Sequence, residues 1–303
     1  MMRVGERSVF FMGNSTKLGK IFELYIRAEV IAAGLSKGTQ ENYKNTMKLA
    51  LGFFGDVDII DITAEYVRDF QDHLLSYQMP DTAAGNIINF RSVLKYCNRK
   101  KLPVLDIEDI KIPKRKKRVI NYLTESAAKD FIGVIGQKRR GYAEINRVRN
   151  IAIVETIYAT GLRVGELCRL DRNTIRNRQF TVVGKSKEPR ICFVTERVIK
   201  IINDYLQLRD DNSAALFVSN QTGNRITPGT VRRIFQFACS RSDFTDVHPH
   251  TLRHSYATKL LEKEVDIRYI ADLMGHQSLD TTRLYTHFSN PKLKRIYDVA
   301  HAT

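Results

Sequence analysis

The stretch Ile110-Lys111-Ile112-Pro113-Lys114-Arg115-Lys116-Lys117-Arg118 decides how the rest of the chain is read. Proline stops a helix and biases the residue before it toward extended backbone, and the run of like charges that follows repels itself and stays in water. Such a segment is a linker. Residues 110–121 are therefore expected to separate a domain over 15–109 from one over 122–303, in keeping with a prior of roughly 100–200 residues per domain. Upstream, apolar residues recur at helical spacing in four rows: Ile21, Leu24, Tyr25 and Ala28; Tyr43, Met47, Ala50, Leu51 and Phe54; Val67, Phe70 and Leu74; Ile87, Phe90, Leu94 and Cys97. Ser15 or Thr16, Thr39, Thr63 and Thr82 stand where caps are needed, which predicts four helices and no strand.

Downstream the period changes. Helices are expected to open at Thr124, to run from Arg149 to Tyr158 and stop at Gly161, and to resume over Glu196–Leu208 and after Thr227-Pro228. Thr251–Glu262, Ile267–Met274 and Leu279–Phe288 complete the helical set. Between them, Phe180–Val183 and Arg190–Val194 are short β-branched runs joined by Gly184-Lys185-Ser186-Lys187-Glu188-Pro189, a hairpin with a basic tip. The fold class is mainly α with a small β-hairpin in the C-terminal domain.

With 43% hydrophobic and 27% charged residues, the chain of 303 has the composition of an ordinary globular protein. No apolar run approaches the roughly 20 residues of a membrane helix, and the expected location is cytoplasmic. Lys plus Arg number 49 against 33 Asp plus Glu, a formal +16 that favours a polyanionic partner, nucleic acid first. Cys97, Cys168, Cys192 and Cys239 are too scattered for a zinc site or a disulfide framework. Neither a P-loop nor a dinucleotide fingerprint occurs, so no cofactor is expected.

Four segments place reactive side chains at helix ends and turns: Ala159-Thr160-Gly161-Leu162-Arg163-Val164-Gly165-Glu166-Leu167, His248-Pro249-His250-Thr251-Leu252-Arg253-His254, Leu273-Met274-Gly275-His276 and Thr282-Arg283-Leu284-Tyr285-Thr286-His287. A phosphodiester under attack gathers negative charge on its non-bridging oxygens, and two guanidinium forks can hold these bidentately in place of metal ions. Arg163 and Arg253 suit that role. His250 and His276 can hydrogen-bond the same oxygens and exchange protons near neutral pH. Tyr285 can attack as its proton is removed and store the strand break as an aryl phosphodiester. The expelled 5′ hydroxyl needs a proton, and Lys185 on the hairpin tip is the expected general acid, with Lys187 as the alternative. Taken without this company, Arg163 and Glu166 are a surface ion pair one turn apart, and Glu166 orients the site or merely decorates a helix. His254 reads as structural.

These boxes, in this order and with nine residues from His276 to Tyr285, resemble the tyrosine recombinases of the phage integrase family. The resemblance covers essentially the whole chain. It implies an N-terminal four-helix, SAM-like core-binding domain, a catalytic domain with a C-terminal tail helix, and a strand exchange through a 3′-phosphotyrosine. It also implies double-stranded DNA with paired half-sites as partner and a synaptic tetramer, without cofactor or metal. One departure stands in the hairpin: family members often read Gly-Lys-Gly-x-Lys-x-Arg, and Ser186 replaces the second glycine. The rival readings are a type IB topoisomerase that relaxes DNA as a monomer and a DNA-binding protein with a decayed site. About fourteen residues precede the first expected helix, which fits the two-domain layout of Xer-like recombinases rather than one with an added arm-site domain.

Two basic stripes accompany the motifs. Arg91, Lys95 and Arg99 repeat at i, i+4 and i+8 on the face away from Ile87, Leu94 and Cys97, and Lys44 with Lys48 repeats the spacing on another helix. With Lys114, Arg115, Lys116, Lys117 and Arg118 they are the expected phosphate contacts. After Pro291, Leu293, Ile296, Tyr297 and Ala300 share one face of a helix too short to stand alone in water. It is expected to dock on a neighbouring subunit, with docking on its own domain as the alternative.

Overall fold

A computed structural model describes residues 16–113, 121–138, 140–184 and 189–275. The chain divides into two compact units, Met1–Arg118 and Val119–Thr303.

In the first unit, α1 (Leu18–Tyr25) runs on through a π-helical turn at Ile26–Ile31, and α2 (Lys37–Phe54), α3 (Ala64–Tyr77) and α4 (Pro80–Arg99) follow. The helical rows of the sequence supply most of its core, where the rings of Phe22, Phe54, Phe70 and Phe90 pack together, but Leu24 and Ala28 of the first row are exposed and Phe22, Ile26 and Val30 are buried instead. Thr63 caps α3 as its position requires, accepting from the Tyr66 backbone N–H. The other expected caps move. Ser36 caps α2 by accepting from Thr39 N–H, α1 starts after Lys17 with no side-chain cap, and Pro80 opens α4 two residues before Thr82. Proline at the first helical position lacks only an N–H that would have no intrahelical partner, so it starts a helix without a polar cap.

The polar junction between α2 and α4 is buried. Asn89 Nδ2 donates to Thr46 Oγ1 at 3.0 Å, and that hydroxyl lies 2.9 Å from Asn86 Oδ1 and 3.0 Å from the Asn42 carbonyl, to one of which it donates. Asn86 in turn donates to Gln78 Oε1 at 3.0 Å. This neutral network fixes the two helices that carry the basic stripes.

The second unit is built around α6 (Glu144–Thr160), packed by α5 (Glu125–Gly136), α8 (Glu196–Gln207) and α10 (Pro249–Glu262). Most of α6 beyond Val148 is buried, so it is the central rod of the core. A short α7 (Val164–Leu167), α9 (Pro228–Cys239) and α11 (Ile267–Met274) complete the described helices. Thr124 and Thr227 cap α5 and α9 as expected. The antiparallel pair β1 (Gln179–Val183) and β2 (Pro189–Phe193) turns Phe180, Val182, Arg190 and Cys192 inward. No described helix is long and apolar enough to cross a membrane.

Candidate active site

Three of the expected reactive residues fall within the described chain, each placed by a helix terminus. α6 ends at Gly161, whose left-handed φ of 63° turns the chain sharply and brings Arg163 to the N-cap of α7. Pro249 opens α10, and His248 caps it, its Nδ1 accepting from Thr251 N–H at 3.1 Å while Thr251 Oγ1 accepts from His248 N–H at 3.2 Å. His250 thus stands on the first turn of α10 and Arg253 follows at the start of the second. Lys185, Lys187, His276, Tyr285, the linker cations Lys114, Arg115, Lys116, Lys117 and Arg118, and the tail from Pro291 lie outside the described residues.

Arg163 and Arg253, ninety residues apart in sequence (253 − 163), converge on the C-terminus of α11. Arg163 Nη2 donates to the Gly275 carbonyl at 3.2 Å, and Arg253 Nη2 to the Met274 carbonyl at 2.5 Å. Arg253 Nη1 also donates to the Gly161 carbonyl. These carbonyls carry the partial negative charge of helix ends, so they hold guanidinium groups without neutralising them. Arg253 is buried, whereas the Arg163 side chain keeps 32% of its surface open to a ligand. His250, three residues before Arg253 on α10, is partly exposed and partly shielded by its neighbours. Partial burial and then the positive fields of Arg253, His248, Arg163 and Arg232 press its pKa below the usual imidazole value. The ring is therefore neutral at pH 7, fit to accept or donate one hydrogen bond to a phosphate oxygen.

Glu166 is no surface carboxylate. It is 3% exposed and accepts from Arg163 N–H at 2.9 Å and Arg163 Nη1 at 3.0 Å. Burial pushes its carboxyl up, but hydrogen bonds from Arg190 and Arg163 outweigh that and hold it at about 2. The plain helix-surface carboxylate, the alternative to an orienting role for Glu166, is thus excluded, and its pair with Arg163 has a third member. Arg190, which the sequence places at the start of the second β-run with no role of its own, donates to both Glu166 oxygens, at 3.1 and 2.6 Å. The alternation of β2 was the available signal, since position 190 falls on the inward face with Cys192.

On the first unit, Lys44, Lys48, Lys95 and Arg99 are exposed and Arg91 is half-buried. Two of them are already engaged: Lys44 pairs with Glu41 at 3.0 Å and Arg99 with Glu29 at 2.9 Å. In the second unit, a cavity of about 660 Å³ beside α9 and one of about 420 Å³ beside Tyr158 exclude Arg163, His250 and Arg253 from their walls. A duplex lies along a surface rather than inside a cavity, so the arginine cluster, not either cavity, is the candidate site. Among the described residues no group of three or more His, Cys, Asp and Glu is placed to hold a metal ion.

A sequence model of the phage integrase family matches residues 121–291. Tyrosine recombinase XerC of Actinobacillus succinogenes is 34% identical over 209 residues, spanning 67% of this chain and 68% of the relative. Among solved structures, the integrase of transposon Tn1549 in complex with a circular intermediate DNA aligns with a TM-score of 0.74 at 15% identity, over 93% of this chain and 99% of that one. The XerH site-specific recombinase bound to a palindromic difH substrate in a post-cleavage complex aligns with a TM-score of 0.69 at 20% identity, over 97% and 86%. At these identities the structural likenesses establish a shared fold.

Proposed function

The chain belongs to the phage integrase family and is a tyrosine-type site-specific recombinase that cleaves and rejoins DNA, and on that premise we propose which residues carry the reaction. Tyr285 attacks the scissile phosphate, forms a 3′-phosphotyrosine and releases the 5′ oxygen. Arg163 and Arg253 hold the non-bridging oxygens and stabilise the charge that gathers there in the transition state. His250 and His276 hydrogen-bond the same group and move the nucleophile's proton. Lys185 protonates the leaving 5′ oxygen, with Lys187 as the alternative. The religation step runs these roles in reverse, so no energy source beyond the phosphotyrosine bond is needed.

The observation that carries this reading is the convergence of Arg163 and Arg253 on the carbonyls of Met274 and Gly275, the residues that lead directly into His276. Three motifs far apart in sequence are thereby joined at one place. Both units contribute DNA contacts, the N-terminal unit through its basic stripes and the linker through Lys114–Arg118. The substrate is duplex DNA with paired half-sites in a tetramer whose tails are exchanged between subunits, and a DNA substrate of this kind places the enzyme in the cytoplasm. The test is covalent trapping on a nicked suicide duplex. Tyr285→Phe should retain DNA affinity and form no protease-sensitive adduct, and an adduct in that variant would refute the assignment.

A further inference from the structure

Strand β2 carries a cation on its buried face. Arg190 is 9% exposed, and a buried guanidinium without a counter-charge is strongly destabilising. Its Nε, Nη1 and Nη2 donate to two segments that no strand pairing would bring together. Nη1 and Nη2 grip the two oxygens of Glu166, and Nε donates to the Leu273 carbonyl at 3.1 Å. One side chain therefore ties the stem of the hairpin to the start of α7 and to the end of α11.

The approach is close enough to constrain the neighbours. A Cβ on Gly275, whose φ is +61°, would lie 3.0 Å from Arg190 Cδ and Nη1, and a Cβ on Gly184 would lie 3.2 Å from Glu166 Oε1. Leu273, Met274 and Gly275 each give their carbonyl to a different arginine, in the order Arg190, Arg253 and Arg163. Buried ion pairs are commonly neutral or unfavourable relative to apolar residues of the same volume, so stability alone does not account for this one. Orientation does. Arg163 reaches both Glu166 oxygens, through its backbone N–H and its Nη1, but both contacts come from one residue three positions away, so they anchor the pair to nothing outside α7. The fork of Arg190 grips the same two oxygens from β2 and ties the carboxylate, and Arg163 with it, to the hairpin stem and the end of α11.

From this geometry we infer that Arg190 is a positioning residue for strand cleavage, acting through Glu166 on the guanidinium of Arg163 and through Leu273 on the turn that ends α11. The inference rests on the reading of Arg163 as a phosphate clamp. In single-turnover cleavage of a nicked duplex by the full-length protein, Arg190→Met should lose roughly 10- to 100-fold in rate with duplex affinity unchanged. Arg190→Lys, which keeps the charge but cannot span both oxygens, should recover only part of the loss.

A double-mutant cycle with Arg163→Lys separates positioning from packing. If Arg190 works through Arg163, the two losses overlap and the double variant is little slower than Arg163→Lys alone. A folded Arg190→Met that cleaves at the parent rate, or losses that multiply in the cycle, would overturn the inference. If Arg190→Met does not fold, Arg190→Lys carries the same cycle with the same two outcomes. Cleavage by Arg163→Ala at the parent rate would instead overturn the clamp reading, whatever Arg190 does.

Discussion

The two units bury polar side chains beneath cationic surfaces, but they bury different kinds. Under the basic stripes of the N-terminal unit lies a neutral network of Thr46, Asn86, Asn89 and Gln78. Under Arg163 in the second unit lie full charges, Glu166 with Arg190, and beside them the buried Arg253. Contacts to a phosphate backbone need cations at fixed spacing on a rigid support, and neutral hydrogen bonds supply rigidity without a desolvated charge. A transition state that gathers charge needs donors already aimed at it, and aiming a guanidinium takes a carboxylate or a helix end. Among the described residues every buried charge lies in the second unit: Glu166, Arg190 and Arg253 meet at this cluster, while Arg149, Glu155 and Arg209 are buried elsewhere in the same unit.

The hardest test of that contrast is to remove the arginines. Arg163→Ala and Arg253→Ala should each slow single-turnover cleavage by about 10²–10³ while leaving duplex binding nearly intact. They should part company in stability. Arg253→Ala strips the Gly161 and Met274 carbonyls of a buried donor, a loss of roughly 1–3 kcal/mol in chemical unfolding, whereas Arg163 is partly open to water and should matter less. Equal destabilisation by the two would break the distinction between a buried clamp arginine that also braces the core and one that is partly open to water.

Next in size is a pH effect. Burial, then the fields of His250, Arg253 and His248, lower the His254 pKa from 6.5 to about 4. The unfolded chain thus binds more protons than the folded one between those values. Stability should be full above pH 6.5 and fall as the pH drops toward 4, by about 2 kcal/mol after allowance for the partial exposure of the ring. Glu166, held at about 2 against 4.5 unfolded, adds a second loss below pH 4.5. His250, lowered in the same direction, contributes to the upper step as well, so unfolding curves of His254→Gln should show that step reduced and those of His254→Gln with His250→Gln should lack it, both keeping the second. An upper step undiminished in the double variant would assign it elsewhere.

What the sequence disclosed follows the same division. Arg163, His250 and Arg253 were legible because each sits where a glycine or proline ends or starts a helix, and such punctuation is local. Thr63, Thr124 and Thr227 were legible caps for the same reason. Arg190 was not, because its meaning depends on two partners distant in sequence, Glu166 and Leu273, which only the folded core brings to it. Ser36 displaced Thr39 as the cap of α2 because both residues can fill that role and the helix extends to the earlier one. The Thr46 network escaped notice altogether, since a threonine and two asparagines on helices read as surface until tertiary packing buries them.

Breaking the neutral network should cost stability without touching chemistry. Thr46→Val removes a fully buried hydroxyl that accepts from Asn89 and lies within hydrogen-bond reach of Asn86. The amides then lose a partner, for a cost of about 1–2 kcal/mol in denaturant unfolding. Cleavage of DNA already bound at saturating concentration should be unchanged. A fall in that rate would mean that the N-terminal unit takes part in the chemical step.

The smallest expected effects are on the surface and concern salt. Each phosphate contact contributes about 0.9 to the slope of log affinity against log salt concentration. Lys48, Arg91 and Lys95 stand on the supported faces of α2 and α4, so neutralising them together should flatten the slope by roughly two to three. Arg99 belongs to the same stripe by spacing, yet its guanidinium is committed to Glu29 at 2.9 Å and lies over the Tyr96 ring. Binding a phosphate there would first break that pair, so the net gain in counterion release is small. Arg99→Gln should leave the slope within error of the parent, and Glu29→Gln should steepen it by releasing Arg99 to the DNA. If Arg99→Gln instead flattens the slope as much as Lys95→Gln does, the ion pair opens on binding and the stripe acts as the uniform row that its spacing suggests.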